Sequence, residues 1–176
     1  MPVAVNISPR NLLDVDFPNQ VKGLLDAWGL EPDVLQLEIT EGAVLADPVR
    51  TKGVLEALAE MGIRLAIDDF GTGYSSLAYL NRLPVHQLKI DKTFVGAMTT
   101  SASAEIIVRS TVELAHNLGL EVVAEGVESE ATLERLAELQ CDYAQGYHFS
   151  RPVLGGRLSG RIPAGNEFSP ATTARQ

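Results

Sequence analysis

Ile63-Arg-Leu-Ala-Ile-Asp-Asp-Phe-Gly-Thr-Gly73 is the stretch that shows how this chain is organised. Its first part, residues 63–68, is an apolar run bounded by glycine, which is typical of a buried strand. The run ends on two adjacent aspartates, and a glycine-containing turn follows at once. The stretch therefore predicts a strand whose carboxyl end carries acidic side chains next to a loop.

The same arrangement recurs along the chain. Asp16 with Pro18, and Asp47 with Pro48, mark the starts of predicted helices, and Gly29 marks a helix end. Strands that alternate with helices across short turns indicate a parallel sheet with helical crossovers. The first strand is expected to be buried. The predicted strands are 3–7, 35–40, 63–68, 86–91, 120–125 and 142–147, and the predicted helices are 16–29, 47–62, 75–82, 103–117 and 129–139.

Two parallel architectures are compatible with six predicted strands. A closed barrel of eight strands and eight helices typically takes about 250 residues. A chain of 176 residues is therefore about 70 residues and two strands short of such a barrel. An open doubly wound sheet is the alternative. No G-x-G-x-x-G motif follows the first predicted strand, which makes the dinucleotide-binding interpretation the weaker one.

Polar residues occur at or near the carboxyl end of every predicted strand. In a parallel barrel these ends meet at one mouth, where catalytic residues sit. A single acid at a strand end is often a helix cap, but polar residues at the ends of all six strands indicate a site. Oxygen ligands suit Mg²⁺ or Mn²⁺, and several carboxylates with one lysine are the inventory of a two-metal phosphodiesterase. The residues concerned are Asn6, Glu38, Asp68, Asp69, Lys89, Glu125 and Gln145.

Composition limits which partners the chain is expected to bind and in which compartment it is expected to occur. The chain has 14 Lys and Arg against 23 Asp and Glu, a net charge of −9, which argues against binding duplex nucleic acid. An anionic small ligand stays compatible, because bound cations invert the local field. The single cysteine, the lack of a secretory signal and the lack of an apolar run of about 20 residues predict a cytoplasmic protein without a membrane segment.

In their order along the chain, these motifs resemble the EAL domain family of cyclic di-GMP phosphodiesterases, over residues 2 to about 154. The resemblance implies a parallel TIM-like (β/α) barrel of the EAL type, N-terminally truncated, in a bacterial signalling protein. Residues 1–155 would form a partial EAL domain, and residues 156–176 a loose tail. The matching segments are Val5-Asn-Ile-Ser8, Leu37-Glu-Ile-Thr-Glu41, Ile67 to Leu77, Leu88-Lys-Ile-Asp91, Val123-Ala-Glu-Gly-Val-Glu128, Gln145-Gly-Tyr147 and Ser150-Arg-Pro152.

The resemblance also implies roles for individual residues. Two Mg²⁺ or Mn²⁺ ions would be bound, and Lys89 and Glu125 would act on the nucleophilic water, with Glu125 as a candidate general base. Glu41 would brace the loop after Asp69. The loop and helix after Asp69, with Leu77, Tyr79 and Leu80, would help to form a homodimer. The implied metal ligands are Asn6, Glu38, Asp68, Asp69 and Glu125, and the implied substrate-binding residues are Glu128, Gln145 and Pro152.

The implied reaction is the hydrolysis of one phosphodiester bond of cyclic di-GMP to give linear pGpG. The glutamate of the family's Glu-Ala-Leu motif, a metal ligand, is expected on an earlier strand that this sequence does not include. Glu56-Ala57-Leu58 lies inside a predicted helix and is not that motif. Two other functions stay open: a catalytically inactive fragment that binds cyclic di-GMP or another protein, and a barrel enzyme acting on a different phosphate ester.

Overall fold

The computed structural model describes residues 3–72 and 80–153. These residues form two compact units. The first unit contains residues 3–72, 80–89 and 118–120, and the second contains residues 90–117 and 121–153. The predicted tail and most of the predicted helix 75–82, with Leu77 and Tyr79 of the proposed dimer contacts, lie outside the described residues. Leu80, the third of these contacts, is described and is buried, at 6% exposure.

The first unit is built on a sheet whose strands follow the order of the chain. The strands are β1 (Val3–Asn6), β2 (Leu35–Thr40), β3 (Arg64–Phe70) and β4 (Gln87–Ile90). The last residue of β4, Ile90, is the first residue of the second unit. β1 and β3 both pair in parallel with β2. In this register Glu38 lies opposite Asn6 on one side and opposite Ala66 on the other. The three residues therefore share one face of the sheet.

Helices connect these strands and bury their apolar sides against the sheet. They are α1 (Pro9–Leu12), α2 (Phe17–Trp28), α3 (Glu41–Ala46) and α4 (Pro48–Glu60), with a 3₁₀ turn at Pro32–Val34. Gly29 ends α2 in the left-handed region, at φ 61°, as its sequence position predicts. The Asp47 carboxylate accepts a hydrogen bond from the Arg50 N–H at 3.2 Å and so caps α4.

The core of the first unit lies between the sheet and these helices. Leu55 and Leu58 of α4 and Leu65 of β3 have no exposed surface. Removing each such side chain from water contributes about 1.5–3 kcal/mol. Glu56-Ala57-Leu58 is thus part of a helix whose leucine is buried in the core, as the sequence predicts.

The prediction that the first strand is buried is wrong. All four residues of β1 are exposed, with Val3 at 65% and Val5 at 45%. The apolar composition predicted burial, but within the described residues of the first unit β1 pairs with one strand only, β2. A strand at the edge of a sheet has fewer neighbours to cover its side chains.

The second unit contains β5 (Glu121–Glu125) and β6 (Tyr143–Gln145), which pair in parallel with Glu125 opposite Gln145. Its helices are α5 (Lys92–Ala97), α6 (Ala102–Asn117) and α7 (Glu130–Glu138). The Ser129 hydroxyl accepts from the Thr132 N–H at 3.2 Å and caps α7.

All six predicted strands are present, and four of the predicted helices are present within the described residues. Sequence reasoning missed the short helices α1, α3 and α5, because each is about one or two turns long and lacks a clear apolar period. Among the described residues, no helix combines the length and apolar character needed to cross a bilayer.

Candidate active site

The carboxyl end of β3 carries two carboxylates that approach each other. Successive side chains of a regular strand point to opposite faces of the sheet. Asp69 breaks this alternation, because its backbone lies in the left-handed region at φ 55°. Oxygens of Asp68 and Asp69 consequently lie within 4.8 Å of each other. Aspartate tolerates this backbone better than most residues, so a functional requirement for both carboxylates is consistent with the observed outlier.

A lysine lies between two buried carboxylates on the same face. The Lys89 Nζ is 2.7 Å from Oε2 of Glu38 and 3.1 Å from Oδ1 of Asp68. The exposed fractions of the three side chains are 4%, 9% and 13%, in the order Lys89, Glu38 and Asp68. We call these three residues the strand cluster. Removing a charge from water costs several kcal/mol, so a buried cluster of this kind is held together by charge pairing and is expensive to form.

The residue at the end of β1 belongs to the same edge of the first unit. Asn6 is exposed and lies opposite Glu38 in the parallel register. The first unit therefore brings Asn6, Glu38, Asp68 and Lys89, four of the sequence-predicted site residues, to the carboxyl ends of neighbouring strands. Amide and carboxylate oxygens beside one another are a donor set suited to a hard divalent cation.

Glu41 contacts the loop that follows β3. Its Oε2 accepts a hydrogen bond from the Gly71 N–H at 3.3 Å. The other oxygen, Oε1, is buried and has no hydrogen-bond partner among the described residues. Gly71 has φ 98°, a conformation that favours glycine. The contact is of the kind expected for a residue that braces this loop.

In the second unit, Glu125 is supported by its neighbour on β6. The Gln145 side chain donates from Nε2 to Oε1 of Glu125 at 3.2 Å. The loop after Glu125 is tied to the loop after Gln145 by two backbone hydrogen bonds, from the Val127 N–H to the Gln145 carbonyl at 3.0 Å and from the His148 N–H to the Val127 carbonyl at 2.9 Å. A side chain at Gly146 would collide with the Val127 backbone. Sequence reasoning did not identify this role of Gly146.

The remaining predicted residues of the second unit lie on its surface. Glu128 and Pro152 are both exposed. Tyr147 is exposed as well, and the Arg151 guanidinium lies 5.2 Å from the centre of its ring. The structure therefore presents these side chains to solvent within the second unit.

The histidines and the cysteine have partners that explain their positions. His86 Nδ1 accepts from the Leu65 N–H at 3.2 Å, His116 pairs with Asp142 at 2.9 Å, and His148 pairs with Glu130 at 3.1 Å. Cys141 is buried, and burial raises the pKa of its thiol to about 12. A thiol in this environment is a small apolar side chain rather than a nucleophile.

These features define a class of protein: a parallel α/β fold that collects carboxylates and a lysine at the carboxyl ends of its strands. The particular family follows from comparison with known proteins. The family model for the EAL domain matches residues 1–152, and the chain belongs to the EAL domain family.

Solved structures of EAL proteins share the fold over most of the chain. A structure described as the PaMucR phosphodiesterase in complex with c-di-GMP has a TM-score of 0.86 at 41% identity, covering 89% of this chain and 64% of that one. The EAL domain of Mycobacterium smegmatis DcpA has a TM-score of 0.87 at 40% identity, covering 93% of this chain and 75% of that one. The prediction of a TIM-like barrel fold of the EAL type is confirmed.

Curated relatives are similar at the level of sequence. The signalling protein YkoW of Bacillus subtilis and the cyclic di-GMP phosphodiesterase NbdA of Pseudomonas aeruginosa are each 44% identical over 151 residues, 86% of this chain. In both cases the match covers 19% of the relative. The chain thus spans about a fifth of the length of these relatives.

Proposed function

We propose that this chain carries the catalytic face of a metal-dependent phosphodiesterase that hydrolyses cyclic di-GMP to linear pGpG. The observation that carries the proposal is the buried strand cluster, with the Asp69 carboxylate beside it. Such a cluster is costly for folding and has the composition of a site for hydrolysing a phosphate ester. The names of NbdA and of the c-di-GMP complex of PaMucR support the choice of substrate.

The proposed ligands fit Mg²⁺ or Mn²⁺. They are all oxygen donors, with no cysteine or histidine among them, and the pair Asp68 and Asp69 offers oxygens within 4.8 Å. When bound, two such ions would lower the pKa of a water molecule and offset the charge that develops on the phosphate. The proposed ligands are Asn6, Glu38, Asp68, Asp69 and Glu125.

The chain's own residues have distinct tasks in this proposal. Lys89 supplies a fixed positive charge for the attacking water or a phosphate oxygen, and its contacts with Glu38 and Asp68 hold the ammonium in place. Glu125 accepts a proton from the water as general base, and the hydrogen bond from Gln145 orients its carboxylate. Glu41 keeps the backbone after Asp69 in the conformation that brings the two aspartates together.

The substrate would be recognised by side chains at the surface of the second unit. Glu128, Gln145 and Pro152 are the proposed contacts with phosphate and guanine, and all three are exposed. The chain has a net charge of −9, and bound cations would make the local field at the site favourable for an anionic substrate. A homodimer through the segment after Asp69, and action in bacterial second-messenger signalling in the cytoplasm, are further parts of the proposal.

The test is incubation of the chain with cyclic di-GMP and Mg²⁺ or Mn²⁺, followed by chromatography for pGpG. Asp69→Asn should lower turnover by about 100-fold or more, because losing a ligand costs at least as much as losing a group that supports one. Asparagine also tolerates the left-handed backbone, so the melting temperature should stay close to that of the parent.

The matched control is Asp26→Asn, which makes the same chemical change at an exposed residue of α2 paired with Lys22. It should leave turnover unchanged. Equal turnover in Asp69→Asn and the parent would contradict the proposal. Binding of cyclic di-GMP without turnover in the parent would favour the non-catalytic binding protein instead.

A further inference from the structure

The ion pair between Lys89 and Glu38 crosses a strand. Glu38 is on β2 and Lys89 is on β4, and β3 lies between these two strands in the sheet. Neighbouring strands are about 4.8 Å apart, so the backbones of β2 and β4 are separated by roughly 10 Å. The Lys89 Nζ nevertheless lies 2.7 Å from the Glu38 carboxylate. The lysine side chain must therefore extend over the face of β3.

The residue of β3 that shares this face is small. Ala66 lies opposite Glu38 in the parallel register, and Asp68 follows it on the same face. Ala66 is fully buried. Its neighbours Leu65 and Ile67, which point to the opposite face, are large and almost fully buried. Of residues 65–67, only Ala66 is small, and Ala66 lies on the face of β3 that the Lys89 side chain crosses.

We propose that Ala66 is a positioning residue of the active site, and that its methyl group leaves the space across which Lys89 reaches Glu38. Two extra methyl groups at this position would occupy that space, because protein interiors have few gaps as large as a methyl group. Lys89 would then be displaced from Glu38, and the two buried carboxylates Glu38 and Asp68 would lose their shared counter-charge. Neither carboxylate would keep the orientation that the cluster imposes.

The consequence for metal binding rests on the proposed function. A group that orients metal ligands typically contributes 10- to 100-fold to metal affinity. Ala66→Val should therefore weaken Mn²⁺ binding by about tenfold or more, measured by calorimetry on the 176-residue chain. Ala66→Gly leaves the space open and should bind Mn²⁺ within about threefold of the parent, although it loses a buried methyl group and melts at a lower temperature.

The matched control for overpacking is Ala115→Val. Ala115 is also fully buried, but it lies on α6 in the second unit. This variant should lose stability without losing Mn²⁺ affinity. If Ala66→Val binds Mn²⁺ as tightly as the parent, or if Ala66→Gly is as impaired as Ala66→Val, the proposal is overturned.

A second measurement needs no metal and separates this proposal from the proposed function. A double-mutant cycle of Glu38→Gln and Lys89→Met, followed by urea unfolding in the presence of a chelator, measures the coupling between the two side chains. The coupling should be present in the parent and in Ala66→Gly, and lost in Ala66→Val. Equal coupling in the parent and Ala66→Val overturns the role of Ala66.

The two measurements fail in different ways. A parent that shows the coupling but binds no Mn²⁺ would contradict the proposed function and leave the steric role of Ala66 supported. Should Ala66→Val not fold, Ala66→Gly decides: retained coupling supports an open space at this position, and lost coupling overturns it.

Discussion

Each unit contains one cation between two carboxylates, and the two clusters differ in their surroundings. In the strand cluster, Lys89 lies between Glu38 and Asp68, and the three side chains are 4–13% exposed. In the second unit, Arg135 of α7 pairs with Glu105 of α6 and with Glu138. We call these three residues the helix cluster. Its side chains are 28–64% exposed, and Arg109 adds a second contact to Glu105 at 3.0 Å.

The difference separates buried charges, for which we propose a catalytic role, from charges that lie at the surface. The helix cluster is solvated in both the folded and the unfolded chain, so its ion pairs add little to stability. The strand cluster requires three charged groups to leave water, and apolar residues of the same volume would often be as stable or more stable. A cluster that folding alone does not favour is best explained by its role in the site.

The largest change in stability is expected for Lys89→Met. The variant leaves Glu38 and Asp68 buried without their shared cation, and breaking a buried pair in this way typically costs about 3–5 kcal/mol. Urea unfolding with a chelator measures this loss. Mn²⁺ should restore part of the lost stability, because it would replace the missing positive charge between the carboxylates.

Its control is Lys22→Met, which removes the exposed pair of Lys22 with Asp26. The change there should be below about 0.5 kcal/mol. Equal losses of stability in Lys89→Met and Lys22→Met would show that burial does not set the contribution of these charges to stability.

A smaller change in the free energy of unfolding, and an increase rather than a decrease, is expected when an uncharged buried hydroxyl is removed. Thr51 of α4 is fully buried, and its hydroxyl has no hydrogen-bond partner among the described residues. Thr51→Val replaces the hydroxyl with a methyl group and should stabilise the chain by about 1 kcal/mol, since an unsatisfied buried group carries a desolvation penalty.

The matched variant is Thr132→Val. Thr132 is also buried, but its hydroxyl lies 2.8 Å from that of Ser129. This variant should lose stability in the same unfolding experiment. If both substitutions stabilised the chain, hydrogen bonding of the hydroxyl would not determine whether its removal raises or lowers the free energy of unfolding.

The smallest effect is expected for Glu105→Gln in the helix cluster. Hydrogen bonds from Arg135, and then from Arg109, lower the pKa of the Glu105 carboxyl below its ordinary value of 4.5. A lowered folded-state pKa stabilises the chain above the unfolded pKa, and this contribution is lost as the pH falls through the folded pKa. The melting temperatures of parent and variant should therefore differ slightly at pH 7 and converge below pH 4.5. Added salt should also bring them together at pH 7. A difference that grew in acid would contradict the assigned direction.

Much of the fold follows from local signals in the sequence. β2 has the predicted bounds, residues 35–40, where apolar and polar residues alternate as is typical of a strand. Gly29 and the Asp47-Pro48 pair fix the end of α2 and the start of α4 through backbone preferences that act over a few residues. α3 was not predicted, since it begins directly after β2 without a loop and contains Gly42, a poor helix former.

The candidate site could be predicted as a list of residues but not as a geometry. Acidic residues at strand ends are visible in the sequence, and so is the pair Asp68-Asp69. The left-handed backbone of Asp69 is not, because aspartate adopts it only when its surroundings require it. The pair of Lys89 with Glu38 joins residues 51 positions apart and depends on the small residue between them. Such a contact arises from the order of the strands, which no local pattern encodes.

Cys141 has a practical consequence for measuring motion in this protein. It is the single cysteine of the chain, it is 3% exposed, and its pKa is about 12. Burial disfavours the thiolate, and the thiolate is the form that reacts with maleimide dyes. A cysteine introduced at an exposed position, such as Val49 at 86% exposure, should therefore react with a fluorophore or spin label while the native thiol stays silent. The parental sequence is thus already suited to site-specific spectroscopy, with no cysteine to remove beforehand.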